Sequence, residues 1–471
     1  MNHVSGPARL VLPRAYLDHA LRDLPRHTPD AAPLLAHGPL VMQEHPWGTE
    51  LLGGWLQRIA WRQAWTSTPA HAPGADGLLM LHVLQAGETM PQNTGAEVWS
   101  QATAWLNAHA SGYHLATPVL SPALAVLWLS RQGHVFAVWR RNDESPWQRL
   151  DGLDLPGSGM HQLNLGLNAA QTDVEEGDPV HGRYSRLQAA LGKPVFQRLI
   201  AQPLVQIGLG RTGSPMAHSW VRMGGSLLAV DPDRVELHNL DGDVLPSHEG
   251  LNKSDACARF LRPLLKPGAA IDGRGLSIDS PVMGVLMSRS AVMSIAVDDD
   301  LPRLWANCWA LASHKVQLVV ANQVRNGQAE ADIKLLPPGT GCQWCVGGFV
   351  SSTTDLLERL RSTEASRGVD FREQRQGSLR SWSVATGQLA LRLLERLYAG
   401  NQNGGLFRQI RESNDGEWQV QDRIAQAPQP NTDCPFCRTL AGAGSAAVTR
   451  NTLVRLLEEG LHTQQDGRTE R

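Results

Sequence analysis

Short apolar runs alternate with amphipathic stretches through the second half of the chain. The segments PLVQIGLG (203–210), SLLAVDPD (226–233), AVMSIAVDDD (291–300) and KVQLVVANQV (315–324) read as strands, each closed by Gly, Asp or a polar residue. Helical patterns precede and separate them: Arg186–Leu199, a stretch from Ser214, one from Lys253, and one after Asp300. Strands alternating with helices predict a mainly parallel sheet covered by helices. Residues 1–178 differ. GLLMLHVLQAG (77–87) and HVFAVWRR (134–141) read as strands and Glu97–Ala110 as a helix, so this part is expected to be a separate mixed α/β domain. The polar, turn-rich residues 166–182 suit a linker. Downstream, 364–380 is charged and poor in apolar residues, VATGQLALRLLERLY (384–398) is strongly amphipathic, and from Thr449 one short helical stretch gives way to polar residues. The expected organisation is an accessory domain at 1–178, a second domain at 179–445 and a tail at 446–471.

Composition narrows the function class. At 471 residues the chain is long enough for two or three domains, and 42% hydrophobic residues are enough for real cores. A formal net charge of −2 gives no sign of a nucleic-acid or anionic-membrane partner. No apolar run has membrane-spanning length, and the first residues lack a signal peptide's apolar stretch, so a cytoplasmic protein is expected. Nine of the 15 tryptophans fall within residues 1–178, where core and surface packing is the expected role.

The chemistry is concentrated at the strand ends. Gly208, Gly210 and Gly213 form a G-x-G-x-x-G turn between a strand and a helix, where backbone N–H groups can approach a phosphate. Asp231 ends the next strand, where an acid can accept ribose hydroxyls. To this point a nicotinamide or flavin enzyme fits equally well. Lys253 and Asp298–Asp300 add what a dehydrogenase does not need: an acid at the carboxyl edge of the sheet can hold Mg²⁺ against a triphosphate, and a lysine can neutralise charge on it. The three acids can equally begin a helix as caps.

Six cysteines occur, four of them as Cys342-Gln-Trp-Cys345 and Cys434-Pro-Phe-Cys437. Paired CxxC knuckles predict a closed structural Zn²⁺ site with no open position for water. Cys257 and Cys308 sit in apolar helical stretches and read as buried thiols.

From Arg183 to Cys437 these residues, in this order, resemble the ThiF/MoeB-like family, the fold of ubiquitin-activating enzymes. Arg183-Tyr-Ser-Arg186 resembles its opening R-Y-x-R, whose second arginine reaches ATP phosphates across a dimer. The glycines match its phosphate loop, Asp231 its ribose acid, Asn239-Leu240 its N-L element, Lys253 its ATP-contacting lysine and Asp298 its magnesium aspartate. Arg303 and Asn307 match R-x-x-x-N, and Gly327-Gln328, a strand and both CxxC pairs follow in family order. The resemblance implies a Rossmann-like homodimeric domain that uses ATP and Mg²⁺ to adenylate a carboxylate. The implied substrate is the C-terminus of a ubiquitin-like or sulfur-carrier protein, with a conjugating enzyme as a further partner. Bacterial ubiquitin-like conjugation systems, several of them antiviral, join such domains to N-terminal modules, and this reading is favoured by analogy. The alternatives are adenylation of a ribosomal peptide or small-molecule carboxylate, and a catalytically weak scaffold.

Two departures from the family stand out. Gly242 occupies the position two residues after N-L, where the family carries an arginine, so a phosphate contact is missing; Arg211 in the loop is a candidate replacement. The crossover segment, about 346–380, contains no cysteine for a thioester. Its Ser351-Ser352-Thr353-Thr354 run offers hydroxyls for an oxyester, but a helix cap before LLERLRS is the favoured reading.

Overall fold

The computed structural model describes residues 7–21, 34–54, 56–59, 77–84, 123–130, 134–142, 145–157, 161–164, 179–240, 242–325, 327–362, 379–402, 404–413, 415–425 and 434–469. They belong to two compact units, one of Met1–Pro156, His161–Asp173 and Thr439–Ala447, the other of Gly157–Met160, Val174–Arg438 and Val448–Arg471.

The first unit is a ten-stranded mixed sheet. In chain order its elements are β1 (Ala8–Val11), α1 (Arg14–Leu21), β2 (Leu34–His45), β3 (Gly48–Gly53), β4 (Gln57–Ile59), β5 (Gly77–Val83), β6 (Ala123–Leu129), β7 (Val135–Arg140), β8 (Gln148–Arg149), β9 (Gly152–Leu155) and β10 (His161–Asn164). The order across the sheet is β10-β9-β1-β3-β2-β5-β6-β7-β8, with β4 beside β2. Both expected strands are present as β5 and β7. Their alternate residues supply two faces: Leu79 and Leu81 pack with Leu10 and Tyr16 of one core, Leu78 and Met80 with Trp128 and Phe136 of another. The helix expected at Glu97–Ala110 lies outside the described residues.

The second unit holds an eight-stranded sheet in the order β13-β12-β11-β14-β15-β16-β17-β18. Its elements are α2 (Pro179–Leu191), α3 (Lys193–Ile200), β11 (Leu204–Ile207), α4 (Gly213–Arg222), β12 (Leu227–Val230), α5 (Lys253–Leu261), β13 (Ile271–Arg274), α6 (Val282–Met287), β14 (Val292–Ile295), α7 (Asp300–Ala312), β15 (Val316–Arg325), β16 (Gln328–Leu336), α8 (Thr353–Arg361), α9 (Arg380–Tyr398), β17 (Gly405–Glu412), β18 (Trp418–Ala425), α10 (Pro435–Leu440) and α11 (Arg450–Thr469). The five strands β13 to β15 are parallel, and β15 to β18 antiparallel.

The chain leaves β11 in one direction across the sheet and returns beside it as β14, which makes a switch point where ligands bind in open α/β sheets. Register fixes what meets there. Ile207 pairs with both Val230 and Ile295, so the three strands end level and release Gly208, Asp231 and Ala296 at one edge. Beneath them Leu204, Met216, Trp220, Val292, Val316 and Leu394 are buried in one cluster, which joins α4 and α9 to the sheet. Burying such side chains contributes about 1.5–3 kcal/mol each.

Two local features differ from the sequence pattern. The single helix expected at Arg186–Leu199 is two helices, because Gly192 takes φ +82° ahead of Pro194 and no residue there continues α2. Residues 450–469 form one continuous helix, α11, where only a short stretch was expected. Its Arg450 donates through Nη2 to the Ser362 carbonyl at 2.7 Å.

Candidate functional site

The glycine turn carries three different constraints. Gly208 has φ +81°, and a Cβ there would lie 2.5 Å from the Ala296 carbonyl oxygen. A Cβ on Gly213 would lie 1.9 Å from the Gly208 carbonyl oxygen, so glycine lets α4 start directly against the turn. A Cβ on Gly210 would meet nothing within 4 Å, so the loop's middle glycine faces open space in front of the helix. Oriented N–H groups beside open space at a helix start suit an anionic group.

Asp231 stands at the end of β12 and is 5% exposed. One carboxylate oxygen accepts the Leu209 N–H at 2.7 Å and the other the Asp233 N–H at 2.9 Å, so the acid ties the glycine turn to the neighbouring strand end. Burial raises its pKa above the ordinary carboxylate value, opposed by Lys253 and by those N–H groups. Lys253 is the first residue of α5, whose N-cap Asn252 accepts the Ser254 N–H. Its Nζ donates to Asp233 at 2.9 Å. Burial works against the ammonium charge, but Asp231, Asp233 and Asp298 outweigh it and the pKa rises. Lys253 is therefore a fixed cation among three carboxylates.

The three consecutive acids after β14 do three separate jobs. Asp298 is the exposed one. The surrounding protein still removes enough water to raise its pKa, Asp299 adds to the rise, and Arg303 and Lys253 oppose it. Asp299 is the N-cap of α7, accepts from Leu301 and takes Arg359 of α8 on both oxygens. Asp300 is 4% exposed; it accepts the Val350 and Ser351 N–H groups, both at 2.6 Å, and pairs with Arg303 at 2.8 Å. The cap reading holds for Asp299, and the exposed acid of the three is Asp298.

The structure brings Gly208, Gly210, Gly213, Asp231, Lys253 and Asp298 to one sheet edge. Asn239 closes the short 3-10 turn Leu237–Asn239, where its side-chain oxygen accepts the Glu236 N–H at 3.0 Å. Arg186 is exposed on α2. Arg303 and Asn307 lie buried on α7. Arg303 holds Asp300 and the Val297 carbonyl, while Asn307 accepts from Gln317 and from the Gln343 backbone inside the first CxxC.

Cys342, Cys345, Cys434 and Cys437 converge, all four Sγ atoms lying within 4.8 Å of one another. The nearest pairs are 3.6–3.8 Å apart. Four thiolates about 2.3 Å from one tetrahedral zinc would sit about 3.8 Å apart, so the residues present fit the metal. Gln343, buried between the cysteines, donates to the Gln317 side-chain oxygen at 3.0 Å and orients the knuckle.

The other two thiols are buried. Burial, together with Asp243 and Asp231, pushes the Cys257 thiol up to about 12, and burial raises Cys308 well above its ordinary value. Ser352 is the N-cap of α8 in a reciprocal box with Asp355. Sequence reasoning did not separate Asp300 from Asp298 and Asp299, and it missed Arg359 and the pairing of Arg380 with Asp243. Three consecutive acids carry no pattern that separates them, and neither Arg359 in the LLERLRS helix nor Arg380 at the end of the charged segment is marked by its neighbours.

The glycine turn, the acid-lysine cluster and the four-cysteine cluster belong to a mixed sheet whose parallel part has the Rossmann-type arrangement of a nucleotide-binding domain. The chain belongs to the ThiF family, whose model matches residues 184–443. That membership assigns it to the ThiF-type adenylyltransferases, which activate carboxylates with ATP. Among solved structures it is similar to E. coli MccB with ATP (15% identity over 54% of this chain and 73% of that one, TM-score 0.40). It is also similar to the microcin C7 biosynthetic enzyme MccB with N-formylated MccA (16%, 53% and 73%, 0.41) and to selenomethionine PaaA (16%, 55% and 78%, 0.38). No curated protein matches the chain. No helix of the described residues is long and apolar enough to cross a membrane.

Proposed function

We propose that the second unit adenylates the C-terminal carboxylate of a small ubiquitin-like or sulfur-carrier protein, with Mg²⁺ as the metal and Arg186 completing the site of the other copy in a homodimer. The observation that carries this reading is the convergence of Asp231, Lys253 and Asp298 around the open face of the glycine turn. Asp231 has lone pairs left for ribose hydroxyls beyond its two backbone bonds. Asp298, the exposed acid, would hold Mg²⁺, which when bound screens the triphosphate charge.

In the reaction, a substrate carboxylate oxygen bonds to the α-phosphorus of ATP as the bond from that phosphorus to the bridging oxygen breaks. Pyrophosphate leaves with that electron pair, and no proton is required. Lys253 donates to phosphate oxygens as charge shifts toward the leaving group, and its raised pKa keeps it an ammonium at neutral pH. The glycine turn fixes the line of attack by positioning. The acyl-adenylate is the product handed on: four of the six cysteines form the cluster and the other two are buried. A bacterial ubiquitin-like conjugation pathway, with a conjugating enzyme as recipient and an antiviral setting, is the context we favour. Residues 1–178 would serve there as the module that recognises the carrier or that enzyme.

ATP–pyrophosphate exchange tests the reading. Exchange that requires a β-grasp carrier's free C-terminus, and is lost in Asp298→Ala, is the expected result. Exchange driven instead by a short ribosomal peptide would replace the carrier with that substrate class. Absence of exchange with either, in folded metal-loaded protein, would leave the fold without the activity.

A further inference from the structure

We propose that Arg380, the first residue of α9, supplies the phosphate-binding cation that Gly242 leaves out; the inference rests on the ATP-binding reading above. Gly242 has no side chain where an arginine is expected. A Cβ built there comes 3.0 Å from the Asn239 carbonyl oxygen, and the next atom it meets is Nη1 of Arg380 at 3.9 Å. A guanidinium from a residue 138 positions later in sequence thus lies beside the place where the missing side chain would start.

The arm is held in place. Nη2 of Arg380 donates to Asp243 at 2.9 Å, while the second oxygen of Asp243 faces His218 of α4 at 3.8 Å. The Asp243 side chain is 13% exposed and that of Arg380 39%. Nη1 is different: it is buried and meets no hydrogen-bond acceptor among the described residues. A buried cationic N–H group without an acceptor costs about 1–3 kcal/mol or more, so a rotation of the arm that brings Nη1 onto an anionic oxygen would be favourable.

The position of α9 places the arm beside the phosphate turn. Asn322 of β15 donates to the Thr212 hydroxyl at 2.7 Å and to that of Thr386 at 3.3 Å, and accepts from Ser383 at 3.3 Å. Thr212 is the N-cap of α4, inside the glycine turn. Gly387 of α9 packs so closely that a Cβ would lie 2.8 Å from Met216 and 3.6 Å from the Thr212 carbonyl oxygen. Ser383, Thr386 and Gly387 thus lock the first turns of α9 onto the phosphate turn, and Arg380 opens the same helix one turn earlier. The sequence alone offered Arg211 for this role; the geometry points to Arg380.

A cation that contacts phosphates beyond the α position has a distinct binding signature. Arg380→Ala is expected to weaken binding of α,β-methylene ATP tenfold or more, with AMP affinity changed less than twofold, both measured by calorimetry on the full metal-loaded chain. Gly242 does not need positive φ, so an arginine can be placed there if the Asn239 carbonyl oxygen, 3.0 Å from its Cβ, gives by a few tenths of an ångström. Gly242→Arg in the Arg380→Ala background is expected to recover most of the lost affinity. Arg380→Lys, which keeps charge without the fork, should fall between. Equal weakening of ATP and AMP, or a failure of Gly242→Arg to rescue in a variant with unchanged thermal unfolding, would reduce Arg380 to a clamp on Asp243. If Arg380→Ala loses its fold, Asp243→Asn provides the second arm. Freed from its carboxylate, Arg380 should bind α,β-methylene ATP at least as tightly as in the wild type, and a tenfold weaker affinity overturns the proposal. Wild-type protein that binds ATP normally while these variants do too sinks only this inference; wild-type protein that binds no nucleotide sinks the function as well.

Discussion

Asp300→Ala gives the sharpest test of how the site is built. The carboxylate is buried, accepts two backbone N–H groups from 350–351 at 2.6 Å and pairs with Arg303 at 2.8 Å. Its removal leaves those N–H groups and a buried guanidinium without their acceptor. Each lost acceptor costs about 1–3 kcal/mol, and breaking a buried ion pair about 3–5 kcal/mol. The costs overlap, because Arg303 keeps its bond to the Val297 carbonyl and the two N–H groups are only partly buried. We expect a net loss of about 3–5 kcal/mol. With a urea slope of about 2–3 kcal/mol/M this lowers the midpoint of the affected transition by about 1–2.5 M. Arg303→Met added to Asp300→Ala removes the stranded charge as well and should recover about half of the loss. Asp298→Ala, at the exposed acid two positions earlier, should change stability by less than about 0.5 kcal/mol while abolishing exchange. Urea unfolding of the zinc-loaded full chain measures all three. Asp300→Ala within about 1 kcal/mol of wild type, or the Asp300→Ala Arg303→Met double variant less stable than Asp300→Ala, would refute the reasoning.

Three further outcomes follow from the same geometry. Gly213→Ala should fail to fold or lose nucleotide binding, because its Cβ would lie 1.9 Å from a carbonyl oxygen, whereas Gly210→Ala should fold normally and lose only affinity for ATP; thermal unfolding and calorimetry separate the two. Cys434→Ser should bind less than one zinc per chain by metal analysis and unfold at lower urea, and chelation of the wild type should reproduce the shift; a full zinc complement in the variant would exclude the tetrathiolate. Arg359 holds the Asp299 carboxyl below its ordinary value, against burial. A depressed carboxyl stabilises the fold above its unfolded pKa of about 3.9 and loses that contribution as pH falls through the folded value. The stability gap between wild type and Asp299→Asn should therefore be flat above about pH 5 and close below about pH 4, metal loss cancelling in the difference. A gap unchanged down to pH 2 contradicts the pairing.

What the sequence made legible was what local spacing encodes. Gly208, Gly210 and Gly213 sit between strand and helix as expected because a turn's glycines and a strand's apolar run are contiguous. The two CxxC pairs announced their cluster because metal ligation needs nothing more than four thiols. Contacts between distant segments were hidden. Nothing near Gly242 pointed to Arg380, since their proximity depends on how α9 packs against α4 and β15. Strands β17 and β18 also escaped, because an antiparallel edge carries mixed polar residues such as Gln419 and Gln421 rather than an apolar run. The roles of Asp298, Asp299 and Asp300 could not be assigned from three identical letters; the direction in which the chain turns into α7 separates them.

The cysteine cluster joins positions separated by 92 residues, and both of its pairs lie outside the central strands. With one ion on four thiolates, the chain from Cys342 to Cys434 becomes a ring that carries α8, α9, β17 and β18. Closing such a ring removes about 4–5 kcal/mol of freedom from the unfolded chain in the loop-entropy picture. It also rewires distance along the polymer. β16 pairs with β17 through Leu335 and Leu406, and the route between them by way of the metal is about half the route along the chain. Metal capture before sheet completion would therefore convert one of the two most distant strand pairings in this unit, second to that of β11 with β14, into a closer one, and the ion would act on the order of assembly as much as on its final stability.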